Sequence, residues 1–138
     1  MALTIEDVPA SALSDLRSRV LRGGRPHHGF PEDDDPSTIH LGALEDGELI
    51  GIATFVARAP GEWQLRGMAV DEPHQGRGIG RRLLEAAEVR LRDAGAELAW
   101  ANGRDSALGF YERAGWVVEG DGYELVDLPH HRVVRRLD

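Results

Sequence analysis

Gln75-Gly76-Arg77-Gly78-Ile79-Gly80-Arg81-Arg82-Leu83-Leu84 is the stretch on which the reading of this chain turns. Three glycines at every second position suit neither a strand nor a helix interior. They let the backbone take φ > 0 and bring its N–H groups close to something outside. Downstream, Leu83, Leu84, Ala87 and Leu91 recur at helical spacing, with Arg82, Glu85, Glu88 and Arg92 between them. Upstream, Trp63 to Val70 reads as a strand. The stretch is therefore strand, glycine turn, helix. Exposed N–H groups and the helix dipole meet in such a turn, which makes it an anion site, and phosphate is the usual anion.

Two common phosphate loops fail on the letters. A P-loop ends in Gly-Lys-Ser/Thr, and this chain contains no lysine. A dinucleotide fingerprint needs Gly-x-Gly-x-x-Gly, whereas the sixth position from Gly76 is Arg81 and from Gly78 is Leu83. The spacing present is Gln-x-x-Gly-x-Gly, at Gln75, Gly78 and Gly80.

At 138 residues the chain is expected to form one domain, residues 1–138, with a substantial core. No apolar run approaches the ~20 residues of a membrane span, and MALTIEDVPAS lacks the regions of a signal peptide. With no cysteine there is neither a disulfide nor a thiolate nucleophile. The expected location is cytoplasmic. A net charge of −8 argues against broad nucleic-acid binding, so any anion site must be a local arginine cluster.

In chain order, Leu3-Thr4-Ile5 reads as a short strand. Ser11 caps a helix over Ala12 to Arg22, which Gly23-Gly24 stops. Residues 23–36, GGRPHHGFPEDDDP, are a loop: either a solvated connection or a substrate-facing flap carrying His27, His28 and the Glu32–Asp35 acids. Ser37–Leu44 and Glu48–Ala57 form a hairpin around Asp46-Gly47, the second strand central. In Glu62 to Asp71, Trp63 and Leu65 are out of step with Met68 and Val70 by one residue. A β-bulge at Gly67 accounts for the slip. A helix over Ile79–Ala94, a strand over Glu97–Ala101 and a helix over Ala107–Ala114, capped by Asp105, follow. Trp116–Val118 is a strand, Glu119–Gly122 a turn and Tyr123–Leu128 a strand. Pro129-His130-His131 interrupts, and Arg132–Leu137 is the last strand.

The Gln75–Gly80 spacing resembles the acetyl-CoA pyrophosphate loop of the GNAT N-acetyltransferase superfamily. A second stretch, Asn102 to Trp116, matches a pattern of the same family at Asn102, Ala107, Phe110, Tyr111, Glu112, Arg113, Gly115 and Trp116. The two motifs stand in the family's order, one helix and one strand apart. The likeness covers about residues 45–120 well, extends weakly to the Pro129-His130 tail, and is least over the first 40. It implies an α/β (α+β) fold: a mixed, mostly antiparallel six- to seven-stranded sheet, helices on both faces, strands four and five splayed around acetyl-CoA.

By the same resemblance, the backbone of Met68, Ala69 and Val70 holds the pantetheine. N–H groups of Gln75, Gly76, Arg77, Gly78, Ile79, Gly80 and Arg81 wrap the pyrophosphate, with Arg77, Arg81 and Arg82 adding charge. Asn102, Ala107, Phe110 and Tyr111 contact the cofactor, and Tyr111 protonates the leaving thiolate. Acetyl-CoA is a co-substrate, and no metal is implied. The acceptor is a primary amine on a small molecule or peptide. The acidic loop is compatible with a cationic one, and many relatives are homodimers. The base that deprotonates the amine is Glu62, His40, His74, a loop histidine, His130 or water. A non-catalytic acyl-CoA-binding regulatory domain is the alternative reading, and turnover separates the two. A nucleotide-binding α/β protein, the third reading, would be stabilised by ATP or NAD instead.

Overall fold

The computed structural model describes residues 2–138. Seven strands form one sheet in the order β1-β2-β3-β4-β5-β7-β6: β1 Leu3–Asp7, β2 Ile39–Glu45, β3 Glu48–Ala59, β4 Glu62–Val70, β5 Leu98–Arg104, β6 Val117–Leu125 and β7 Leu128–Arg136. All pairings are antiparallel except β4 with β5. Helices cover both faces. On one lies α1, Ser14–Leu16, continued by a wider π-helical turn over Arg17–Leu21. On the other lie α2, Ile79–Asp93, and α3, Leu108–Arg113.

The glycine-led helix builds the main core. Ile79, Leu83, Leu84, Ala87 and Leu91 meet Leu41, Ala43, Ala53, Phe55 and Leu65 of the sheet. Gly51 allows the approach: a Cβ there would stand 3.2 Å from both Ile79 and Leu83. On the opposite face Leu13 and Leu16 pack on Ile52 and Ala69. β3 is thus buried on both sides, as its mixed pattern predicts.

β4 carries the expected bulge. Ile52 pairs with Ala69 and Thr54 with Arg66, so Ala53 alone faces Gly67 and Met68. Gly67 sits at φ 67°, left-handed backbone that glycine adopts without strain. β4 and β5 pair only from Glu62 to Gln64 against Leu98 to Trp100, then part.

Four expectations need correction. The first helical segment begins at Ala10, with Pro9 rather than Ser11 at its cap. Asp105 does not cap a helix; its carboxylate lies 2.7 Å from His131 Nδ1. Glu119–Gly122 is not a turn but lies inside β6, where two extra residues bulge between the Glu119–Arg132 and Tyr123–His130 pairs. The turn is Val126-Asp127, at φ 50° and 61°. A β-branched residue rarely adopts φ > 0, so no turn signal marks this one. Pro129-His130-His131 runs within β7 without a break. Pairing with β5 begins only at His130, so the missing Pro129 N–H costs no bond on that side.

Leu83 is fully buried and Val89 is 59% exposed. Leu83→Ala is expected to cost about 2–5 kcal/mol in urea unfolding, and Val89→Ala to stay within about 0.5 kcal/mol.

Candidate active site

The parting of β4 and β5 opens a cleft of about 600 Å³. Met68, Ala69 and Val70 form its strand wall. Gln75, Gly76, Gly78, Ile79, Gly80 and Arg81 form its end, and Ala107 and Phe110 its far side. These eleven predicted residues, Met68 through Phe110, are brought together. Beyond Gln64 the β4 edge facing the cleft has no strand partner, so its backbone groups are free to pair with an extended ligand.

The loop's geometry follows from its glycines. Gly76 and Gly78 sit at φ 80° and 79°, and nothing lies within 4 Å of where a Cβ would stand on either. Gln75 ties the loop to β4 through its side-chain amide, which donates to Val70 O at 2.9 Å. The Gln75 N–H donates to Glu72 O, so it does not face the cleft as a free donor. The first helical bond of α2 is Arg82 N–H to Gly78 O. Among the described residues, the N–H groups from Gly76 to Arg81 have no acceptor. The first turn of α2 contains no acid and carries Arg81, the wrong charge for a bare helix N-terminus and the right one for a bound anion. The cradle therefore fits a pyrophosphate.

Four predicted residues stand elsewhere. The Arg77 guanidinium pairs with Glu45 of β2 and does not line the cleft. Asn102 accepts a hydrogen bond from the Tyr123 hydroxyl at 2.6 Å, on the sheet face away from α3. Tyr111 is 8% exposed and lies between Phe110 and Trp116. Burial pushes its phenol up to about 12, with Arg104 nearby opposing. Glu62 lies at the joined end of the two strands. It stands six positions before Met68, about 20 Å of strand at 3.3 Å per residue.

The histidines differ in what their rings are free to do. His40 is buried. Its Nε2 faces Asp33 O at 3.0 Å and must donate, because a carbonyl only accepts. Its Nδ1 meets Thr54 Oγ1 at 2.8 Å, so neither ring nitrogen is free. His130 Nδ1 donates to Leu128 O at 2.8 Å, which fixes the tautomer and leaves the Nε2 lone pair open. His74 lines the cleft, 3.7 Å from Glu45.

Sequence reasoning missed three lining residues: Val20, His74 and Arg113. Val20 belongs to the apolar face of α1 and Arg113 to the Asn102–Trp116 motif, so both had a signal, though not one for the cleft. His74 entered only as a base candidate.

Residues 23–36 fold onto the sheet opposite α2. Pro31–Asp34 form a 3-10 turn. Glu32 bridges Arg66 at 2.9 Å and Arg58 at 3.4 Å, and Asp33 clamps Arg17 at 2.6 Å. Phe30 stacks between the guanidinium groups of Arg17 and Arg66. Glu32 and Asp33 therefore offer no open cation site. Burial alone would raise the Asp33 carboxyl, but hydrogen bonds from Arg17 and the Phe30 amide hold it below the usual carboxylate range.

The acetyltransferase (GNAT) family model matches residues 10–116. An uncharacterized N-acetyltransferase, YitI of Bacillus subtilis, is 29% identical over 143 residues, covering 96% of this chain and 94% of that protein. Among solved structures, an acyl-CoA N-acyltransferase from Pseudomonas aeruginosa superposes with a TM-score of 0.82 at 21% identity, covering 97% of this chain and 99% of the other. An aminoglycoside 6′-N-acetyltransferase complexed with coenzyme A gives 0.79 at 16% identity, covering 98% and 97%.

Asp33 has a lowered folded pKa, so its contribution is present above the unfolded value of about 3.9 and is lost as pH falls through the folded one. Urea midpoints should drop below about pH 4 from this source. Asp33→Asn should remove that component and, by leaving Arg17 buried without its counter-charge, cost about 3–5 kcal/mol at pH 7.

Proposed function

The chain belongs to the GNAT acetyltransferase family, and from that premise we propose that it moves an acetyl group from acetyl-CoA directly to a primary amine of a small molecule or peptide. One observation carries the reading. The N–H groups from Gly76 to Arg81 have no acceptor among the described residues, and they sit at the end of a gap whose β4 edge has no strand partner. The cradle suits a pyrophosphate and the edge suits the amide-rich arm that follows it. Backbone groups of Met68 to Val70 pair with that arm. Arg81 and Arg113, both lining the cleft, supply cations for phosphate. Arg77 contributes its N–H while its side chain holds Glu45.

The co-substrate supplies a thioester carbonyl for the amine to attack. No cysteine is present, so no thiol on this chain accepts the acetyl group. Residues along β5 alternate between faces. Ala101 belongs to the core and Gly103 packs under Tyr111, so Trp100, Asn102 and Arg104 face the other way. His130, paired with Arg104, shares that face. Its Nε2 has no hydrogen-bond partner among the described residues, and we assign it the amine's proton, taken through water. Glu62, some 20 Å down the strand from Met68, has no direct route. Tyr111 keeps its proton throughout the physiological range. Burial raises the Tyr111 phenol well above an ordinary thiol, so proton transfer from Tyr111 to the thiolate runs uphill. Its role is to hydrogen-bond the departing sulfur.

Acetyl-CoA or CoA at ~100 times its dissociation constant should stabilise the protein by about 2.7 kcal/mol in a thermal-shift series, with ATP and NAD inert. An equal response to ATP would remove the CoA assignment. Binding of CoA without acetyl transfer to any amine would return the reading to a non-catalytic acyl-CoA-binding domain. Tyr111→Phe should lower kcat by up to about tenfold, the worth of one hydrogen bond, while leaving the urea midpoint nearly unchanged. Unchanged turnover would end the role given to its hydroxyl. His130→Asn should lower kcat about 10²–10⁴-fold.

A further inference from the structure

Gly76, Arg77 and Gly78 form the tip of the cradle, and packing does not hold it. Nothing lies within 4 Å of where a Cβ would stand on Gly76 or Gly78. Backbone bonds fix the approach and the exit: Gln75 N–H to Glu72 O, and Arg82 N–H to Gly78 O. Between them the N–H groups of Gly76, Arg77 and Gly78 have no acceptor among the described residues. Glycine loses more conformational freedom on ordering than any other residue. A tip of two glycines around one arginine is therefore costly to order at the moment a ligand arrives.

Glu45 supplies the missing hold. It ends β2, two residues beyond Ala43, which α2 covers. Its carboxylate takes the Arg77 guanidinium through two bonds, from Nη1 to Oε1 at 3.3 Å and from Nη2 to Oε2 at 2.5 Å. Such a two-pronged pair fixes orientation as well as distance. The same carboxylate stands 3.7 Å from Nε2 of His74, the residue immediately before Gln75. One strand end thus meets the loop both before and within its glycines. The Glu45 side chain is only 12% exposed, and the hydrogen bond from Arg77 keeps its carboxyl below the usual range, hence ionised at neutral pH. A carboxylate beside an anion cradle repels the ligand through space. Glu45 is not among the residues lining the cleft, so whatever it gives the ligand is carried by the loop.

We propose that Glu45 is a positioning residue: by clamping Arg77 it holds the Gly76–Gly78 backbone in its anion-binding conformation before the co-substrate arrives. That this serves coenzyme A rests on the acetyltransferase reading above; the ordering of the empty loop does not. The clamp acts on the ligand by removing an ordering cost, not by touching it. The Arg77 side chain belongs to the clamp, and its N–H belongs to the cradle.

The test measures CoA affinity by calorimetry and ¹⁵N order parameters of the Gly76 and Gly78 amides by NMR, in wild type, Glu45→Gln, Arg77→Gln and the double variant. Glu45→Gln takes away a negative charge, so a purely electrostatic effect would tighten CoA binding. The clamp predicts the opposite: a Kd for CoA about two- to fivefold higher, and a KM for acetyl-CoA that rises by more than kcat falls. In the ligand-free variant the two glycine amides should drop from about 0.85, the rigid value, towards about 0.6, and CoA should restore them. Tighter or unchanged binding in Glu45→Gln overturns the proposal, and so do unchanged order parameters. Arg77→Gln should loosen the empty loop equally, and the double variant should bind CoA as Glu45→Gln does, because the clamp needs both partners. A double variant weaker than Glu45→Gln would give the Arg77 side chain to the phosphate and overturn the clamp. If Glu45→Gln does not fold, the empty loop of Arg77→Gln decides, and wild-type order parameters there overturn the proposal. Failure of CoA to bind wild type would overturn the acetyltransferase reading, while the empty loop would still decide the clamp.

Discussion

The constraint on which the rest depends is the short pairing of β4 with β5. The two strands share only three register pairs, from Glu62–Leu98 to Gln64–Trp100. β4 then stays with β3 up to Val70, and β5 stays with β7 up to Arg104. Each half keeps its own ladder, so opening the gap costs little outside the gap itself. It leaves two facing edges in the middle of a sheet, where an edge is normally a liability. Here the edge is held open by packing: α2 on β3 from one face, α1 and residues 23–36 from the other.

The site draws on both faces through that gap. The α2 side brings the glycine cradle, with Phe110 packed 3.2 Å from where a Gly80 Cβ would stand. The other side brings a chain of polar contacts, His40 to Thr54 to Arg17 to Asp33, that ends beneath the bulge. Asp33 O closes it back onto His40. A closed polar network of this kind is rigid when satisfied.

Charge distribution shows the same division of labour. The chain is acidic overall, yet its cleft is lined by Arg81 and Arg113 with no acid among the lining residues. Glu45, Glu32 and Asp33 are each engaged with an arginine. The acidity that suggests a cationic acceptor in the sequence is therefore partly used up inside the fold, and His27 packs edge-on against Phe30.

Much of this was legible in the letters. The glycine cradle, the Asp46-Gly47 hairpin and the Gly67 bulge follow from backbone chemistry written within a few residues, so sequence alone determined them. The apolar face of α2 and the two-sided burial of β3 follow from periodicity in the same way. Contacts across long separations were not legible. Arg17 read as a polar position on a helix because Asp33 and Thr54, which bury it, lie 16 and 37 residues away. Arg77 read as a phosphate ligand because Glu45, which takes it, is on another strand. The Val126-Asp127 turn went unseen because strand pairing, not turn chemistry, imposes its strained backbone. Local geometry is set by a residue's own φ, ψ and neighbours. Which donor remains free is decided only when the folded chain has assigned every other partner.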